Sequence, residues 1–315
     1  MIAKAQRAVL LAASRTSRLR DVVEQAPVTR DLVRRFVAGT GDDHALEVAA
    51  DLRSEGLLVT LDRLGEDVGD ETDAEATRDA YVGVRGRLAA RGLTDDGAVE
   101  VSVKLSALGQ ALGSTGESVA LENARVICEA AAVAGTTVTL DMEDHTSVDS
   151  TLRVLEQLRT DHPWVGAVLQ SQLRRTEADC RDLAGAGSRV RLCKGAYAPT
   201  DDVAFTSPHE VDRSYVRCLK VLLNGDGYPM VASHDPVLVD IAEALARDVG
   251  RDADSWEVQM LLGVRPTEQA RLAAAGRRVR TYVPYGEDWY AYLVRRLAER
   301  PANLALLLRS LTSRS

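Results

Sequence analysis

Apolar residues recur along this chain in two alternating rhythms. Short runs rich in β-branched residues are separated by longer stretches whose apolar positions fall three and four apart, the pattern of repeated strand–helix units. The runs are Leu57 to Leu61, Val99 to Val103, Thr137 to Leu140, Val165 to Leu169, Arg189 to Leu192, Pro229 to Ala232, Trp256 to Leu261 and Val279 to Val283. Eight units spread over about 260 residues predict an α/β fold of the (β/α)8 TIM type, because that fold has this usual size. A doubly wound open sheet is the runner-up, since counting strands leaves closure open.

Helix signals fill the intervals. Val148, Leu152, Leu155 and Leu158 share one helical face. Asp235 before Pro236 has the form of an N-cap and first helical residue, Arg265 before Pro266 opens the next helix in the same way, and Gly276 stops it. The first fifty residues hold no convincing strand and predict helices, including Ala3 to Ala13 and Asp31 to Val37. The expected division is therefore a helical arm over 1–50 and a catalytic barrel over 51–315 that includes the last helix. Gly65 to Thr72 and Ala198 to Thr206 are polar, aperiodic connections and are expected to be mobile loops.

In a β/α barrel the chemistry sits at the carboxyl ends of the strands. Here those ends are charged or polar: Asp62 and Glu66, Lys104, Asp141 and Glu143, Gln170, Arg191 and Lys194, then Ser233, His234 and Asp235, and Tyr282. Strand seven offers only Glu257 and Gln259, alternating within the strand. One charged residue after a strand is usually where the chain meets water. A whole ring of them would be expensive to bury without a ligand or mutual pairing, which favours an enzyme. In the last helix Tyr292, Arg295, Arg296 and Glu299 share an arc, with Tyr290, Leu293, Val294 and Leu297 opposite. That arc is either a solvated face or an arginine pair whose planar forks grasp a carboxylate.

Charge and composition narrow the classes. A net charge of -8 with no basic block argues against nucleic acid. The stretch Ala8 to Ala13 after Lys4 and Arg7 is too short for a membrane span and weak as a secretory segment, so the expected location is cytoplasmic. Cys128, Cys180, Cys193 and Cys218 form no CxxC pair, and the five histidines show no HxH or HExxH spacing, so no metal site is expected. GxGxxG and GxxxxGK[ST] are absent. Two cations before a small-residue turn, in Arg191 to Tyr197, could meet an anionic cofactor. A metal enzyme using Asp141, Glu143, His145 and His234, or a Schiff-base enzyme using Lys104 or Lys194, each acting on a small carboxylate, stand as alternatives. A noncatalytic binding protein is a further reading, weakened by the acid and several cations at the strand ends.

The heptapeptide Arg191 to Tyr197 (RLCKGAY) resembles a signature of the proline dehydrogenase family, and other matches follow in order. They are Val101 to Leu108 (VSVKLSAL), Leu140 to Asp144 (LDMED), Ala167 to Gln172 (AVLQSQ), Val231 to Pro236 (VASHDP), Glu257 to Val264 (EVQMLLGV) and Tyr282 to Glu299 (YVPYGEDWYAYLVRRLAE). The resemblance spans roughly residues 50–300. It implies a distorted barrel holding FAD noncovalently, oxidation of L-proline to Δ1-pyrroline-5-carboxylate, and electrons passed to a membrane quinone through peripheral contact. It assigns Lys104, Arg295 and Arg296 to the proline carboxylate, and Tyr282 and Tyr292 to the pocket around the ring. Asp141 and Arg191 match the catalytic positions, with Arg191 also at the flavin. Met142, Gln170, Lys194, Gly195, Ala196, Ser233 and His234 match FAD-binding positions, while Glu66 and Glu299 would hold the arginine-bearing helix. Ala198 departs from relatives with an aromatic residue there, and Ser233 replaces a usual threonine. Nothing resembles a fused aldehyde dehydrogenase or DNA-binding module, so a monofunctional enzyme is expected, its product passing to a separate pyrroline-5-carboxylate dehydrogenase.

Overall fold

Eight parallel strands hydrogen-bond in chain order, and the eighth pairs with the first, which closes the barrel and removes the open-sheet alternative. The computed structural model describes residues 33–66, 68–197, 199–290 and 292–293. The strands are β1 (Leu58–Arg63), β2 (Val99–Val103), β3 (Val138–Leu140), β4 (Gly166–Gln170), β5 (Arg189–Cys193), β6 (Tyr228–Ala232), β7 (Glu257–Leu261) and β8 (Val279–Tyr285). Each lies within two residues of its predicted run. The expected helix Ala3 to Ala13 falls outside the described residues, and of Asp31 to Val37 only 33–36 are seen to be helical.

The helices are α1 (Asp42–Ser54), α2 (Glu71–Ala90), α3 (Gly116–Ala134), α4 (Val148–Asp161), α5 (Thr176–Leu183), α6 (Pro208–Asn224), α7 (Pro236–Asp248) and α8 (Pro266–Ala274). Helix α4 buries Val148, Leu155 and Leu158 along the expected stripe. Asp235 caps α7 by accepting from the Val237 N–H at 3.1 Å, and Pro236 fills the first helical position, where its missing N–H costs nothing. At α8 the cap differs: Arg265 has φ +52° and gives no side-chain cap, and its Nη1 instead donates to the His234 carbonyl at 2.9 Å.

The apolar core lies outside the barrel wall, between strands and helices. Val59, Leu61, Val99, Val101 and Val103 face one buried cluster with α1, α2 and α3, and Val190, Leu192, Val231 and Val258 face another with α6 and α7. By the pleat, the alternate positions point inward, and these are largely polar: Thr60 and Asp62, Glu100 and Ser102, Arg189 and Arg191, Glu257 and Gln259, Arg280 and Tyr282. A barrel interior is ordinarily filled by branched apolar side chains. This one is filled by an ion network, in which Glu100 pairs with Arg189 at 2.6 Å and Glu257 with Arg280 at 2.6 Å.

Parts of the two polar connections carry backbone contacts that their composition does not announce. Asp70 already caps α2 through the Asp73 N–H. In the second, Leu173 and Ala204 form an isolated antiparallel bridge, and the Phe205 N–H donates to the Gln172 carbonyl at 2.8 Å. The Phe205 ring takes the guanidinium groups of Arg174 and Arg217 at 4.7 and 5.8 Å from its centroid. Backbone pairing and these contacts hold a segment that sequence polarity alone makes look loose.

Candidate active site

Four strands bring one charged cluster to the mouth of the barrel. Lys104 follows β2 directly, and its Nζ lies 2.5 Å from Asp62 Oδ1 on β1 and 3.9 Å from Asp141 Oδ2 beyond β3. Asp141 also accepts from Arg191 Nη1 at 2.8 Å and from the Tyr282 hydroxyl at 2.6 Å. The Arg191 guanidinium carbon stands 5.1 Å from the centre of the Tyr282 ring. Its Nη1 further donates to Ser102 Oγ at 3.0 Å, its Nε to Gln259 Oε1 at 2.6 Å and its Nη2 to Glu100 Oε1 at 3.3 Å. Guanidinium carries five N–H donors. Four of them are used by described residues, and the side chain also lines the cavity described below.

Burial and neighbours set the charges. Burial alone would depress the Lys104 ammonium, but the carboxylates of Asp62 and Asp141 outweigh it and hold its pKa well above the usual lysine value. Burial pushes Asp62 up to about 6, with Lys104 opposing and Asp141 reinforcing. The Tyr282 hydroxyl is raised well above its ordinary value by burial and by Asp141 and Asp62. The site thus holds a permanent ammonium, a permanent guanidinium and a neutral phenol.

The other side of the mouth is built from β4, β5 and β6. Both Gln170 amide hydrogens go to carbonyls, of Met142 at 3.1 Å and Glu143 at 2.7 Å, so the side chain fixes the loop after β3. Gly195 sits at φ +112°, and a Cβ there would come within 2.3 Å of Gln172 Cδ, so the turn after Lys194 needs glycine. His234 Nε2 accepts from the Leu261 N–H at 2.9 Å, which assigns the ring hydrogen of a neutral imidazole to Nδ1. Ser233 Oγ accepts from the Asp235 N–H at 3.1 Å. Lys194 Nζ meets Asp212 at 2.6 Å and Asp235 at 3.4 Å on the half-exposed rim.

Both sides open on one cavity of about 670 Å³, within the range of small-molecule and cofactor sites. Apolar groups of Val168, Ala232, Met260 and Leu261 line part of it, and Arg191, Lys194 and His234 supply polar edges. Such a donor set fits a planar aromatic cofactor with a polar, electron-rich edge. It does not fit a metal ion: Asp141 turns to Arg191 and Tyr282, Glu143 to the Ser106 N–H and hydroxyl at 3.1 and 2.5 Å, His145 does not line the cavity, and no group of three His, Cys, Asp or Glu among the described residues could hold one. Burial raises the Glu143 pKa against those two Ser106 bonds.

Of the residues singled out from sequence, Glu66, Lys104, Asp141, Met142, Gln170, Arg191, Lys194, Gly195, Ala196, Ser233, His234, Tyr282 and Tyr292 all line this cavity. Tyr292 is 6% exposed and packs with Phe36, Leu64 and Trp289, so the arc it begins is not a solvated face at that position. Arg295, Arg296 and Glu299 lie outside the described residues, as does Ala198. The sequence marks Asp62 only as a strand end, and it does not reveal Glu100, Ser102 and Gln259 as partners of Arg191. Their signal was a polar residue at every second position of otherwise apolar strands.

A family model described as "Proline dehydrogenase" matches residues 45–307. The chain is 39% identical over 290 residues to "Proline dehydrogenase" of Deinococcus radiodurans, covering 89% of this chain and 90% of that one. It is 35% identical over 281 residues to "Proline dehydrogenase 2" of Bacillus subtilis, covering 89% and 90%. A crystal structure of proline utilization A from Bdellovibrio bacteriovorus, inactivated by N-propargylglycine, superposes with a TM-score of 0.80 at 26% identity. That similarity covers 91% of this chain but only 34% of the Bdellovibrio chain, so this chain corresponds to about a third of the larger protein.

Proposed function

Because the chain belongs to the proline dehydrogenase family, we propose that it oxidises L-proline to Δ1-pyrroline-5-carboxylate in proline catabolism, with FAD as its cofactor and a quinone as onward electron acceptor. The observation that carries this reading is the convergence of Lys104, Asp141, Arg191 and Tyr282 on one cavity that also has a largely apolar wall. FAD, when bound, supplies the hydride acceptor.

The chain's own residues divide the remaining work. Lys104 keeps its charge and meets the proline carboxylate together with Arg295 and Arg296, because a fixed carboxylate sets the carbon that loses hydride. Tyr282 and Tyr292 shape the pocket around the ring. Asp141 holds Arg191 and the Tyr282 hydroxyl in one arrangement, and a guanidinium fixed at the cavity would favour negative charge on the reduced cofactor. Met142, Gln170, Lys194, Gly195, Ala196, Ser233 and His234 hold FAD, and Glu66 and Glu299 steady the arginine-bearing helix.

No helix among the described residues is long and apolar enough to cross a membrane. Transfer to a membrane quinone then takes place by peripheral contact from the cytoplasm, and the product passes to a separate pyrroline-5-carboxylate dehydrogenase. The visible spectrum of the purified protein tests the reading. Flavin bands that L-proline bleaches without oxygen are expected, and a colourless protein that cannot be loaded with FAD overturns it. Arg295→Met and Arg296→Met are expected to raise KM for proline about tenfold or more while FAD stays bound. Equal loss of proline and FAD binding would make that helix structural.

A further inference from the structure

Below the mouth the barrel encloses charges for which the reaction has no direct use. Glu257 on β7 is 1% exposed and accepts from Arg280 Nε at 2.6 Å, from Arg280 Nη2 at 3.2 Å and from the Tyr228 hydroxyl at 3.1 Å. Arg280 in turn donates to the carbonyls of Val59 at 2.9 Å, Ala98 at 3.4 Å and Gly97 at 3.2 Å. Glu257 is thus tied to the barrel wall through a side chain that cannot swing.

Gln259, two residues along β7 on the same inward face, connects this floor to the mouth. Its Nε2 donates to Glu257 Oε1 at 2.6 Å, and its Oε1 accepts from Arg191 Nε at 2.6 Å. A carboxamide has one donating and one accepting end. The carboxylate below therefore dictates that the amide oxygen faces up, where a guanidinium can use it. Gln259 is 3% exposed, so neither end is exchanged for bulk water.

We propose that Gln259 is a positioning residue for the reaction: oriented by Glu257, it fixes the Arg191 guanidinium at the cavity and thereby tunes the reduction potential of the bound flavin. The proposal rests on the FAD reading above. Losing the amide leaves Arg191 Nε without its acceptor and lets the guanidinium tilt toward Glu100 and Asp141. A cation that has moved away from the cofactor favours the reduced form less.

The test is Gln259→Met, close in volume, and Gln259→Asn, which keeps a buried amide but withdraws it by one methylene. Wild-type and variant holoproteins are compared by spectroelectrochemical titration, FAD stoichiometry and steady-state kinetics. Expected for Gln259→Met is a tenfold fall in the equilibrium constant for flavin reduction, about 30 mV more negative for a two-electron couple. With it, kcat falls about tenfold while KM for proline changes less than about twofold. Gln259→Asn shifts both in the same direction and by less, and carries the test alone if the Met variant does not fold. Full FAD occupancy with an unshifted potential overturns this proposal alone. A wild-type protein that cannot hold flavin overturns both it and the function from which it proceeds.

Discussion

The floor and the mouth of the barrel use the same residue types in opposite ways. At the floor, Glu100 is fully buried and accepts from Thr60 at 2.8 Å, Thr137 at 2.9 Å and Arg189 at 2.6 Å, while Glu257 and Arg280 close on each other. At the mouth, Asp62, Lys104, Asp141 and Arg191 make comparable ion pairs yet border a cavity. The acids record the difference. Burial would raise Glu100, but Arg189, Arg280 and Arg191 pull it far below the ordinary glutamate range, whereas burial wins at Asp62. A network in which each acid is over-neutralised serves as scaffold, and one in which an acid is under-neutralised is poised to respond to a ligand.

Removing one cation from each level should separate the two most widely. Arg280→Met strands the Glu257 carboxylate in an interior where it has no route to water, and unfolding in urea should show a loss of about 3 to 5 kcal/mol. Lys104→Met strands Asp62 instead. That carboxyl already titrates near 6 and can discharge by taking a proton, so the loss should be only about 1 to 2 kcal/mol while turnover collapses. Equal destabilisation by both changes would erase the distinction between scaffold and site.

The pH dependence of stability gives a smaller but signed contrast. Asp62 has a folded pKa raised from 3.8 to about 6, so its contribution is fully present below 3.8 and is lost as pH rises through about 6. Glu100 is depressed below 4.5, so its contribution is present above that value and disappears on acidification. Denaturant unfolding over roughly pH 3 to 7 should show Asp62→Asn gaining on the wild type as pH rises, by on the order of 3 kcal/mol. Glu100→Gln should be worst at neutral pH and approach the wild type in acid. Parallel curves for the two variants would mean that floor and mouth share one electrostatic environment.

The mouth was more legible in the sequence than the floor, for a physical reason. Lys104, Asp141 and His234 follow strand ends, where a β/α barrel carries chemistry, so fold and position together draw attention to them. Glu100, Arg189, Glu257 and Arg280 lie inside strands, where a charge suggests solvent or an edge. The TIM pattern leads one to expect Val, Ile or Leu there, and only the pleat reveals that these residues meet across the barrel. Helix limits were readable at Asp235 and Pro236 because capping is local. The order of 203–205 was not, since it depends on pairing with the chain after β4, some thirty residues earlier in sequence. The pairing of Gln259 with both Glu257 and Arg191 likewise needs strands β5 and β7 in one ring.

The rim offers the smallest effect and the finest test of the comparison. Lys194 Nζ meets Asp212 and Asp235, as closely as Lys104 meets Asp62 in the first case, but all three side chains are about a third exposed. In that setting water screens the pair and competes for each end, so Lys194→Met should cost less than about 1 kcal/mol of folding stability. If distance governed these networks, the loss would match that of Lys104→Met; if burial governs, it will be several-fold smaller. The same change removes a cation that lines the cavity. One charge-assisted contact is worth about 1 to 2 kcal/mol, so the Kd for FAD should rise about five- to thirtyfold at low salt. That difference should shrink as ionic strength rises, because an exposed charge is screened and a buried one is not. Fluorescence titration of the apoprotein with FAD at two salt concentrations reads both quantities, and an FAD affinity that does not move at either would take Lys194 out of the cofactor site and leave it a rim residue.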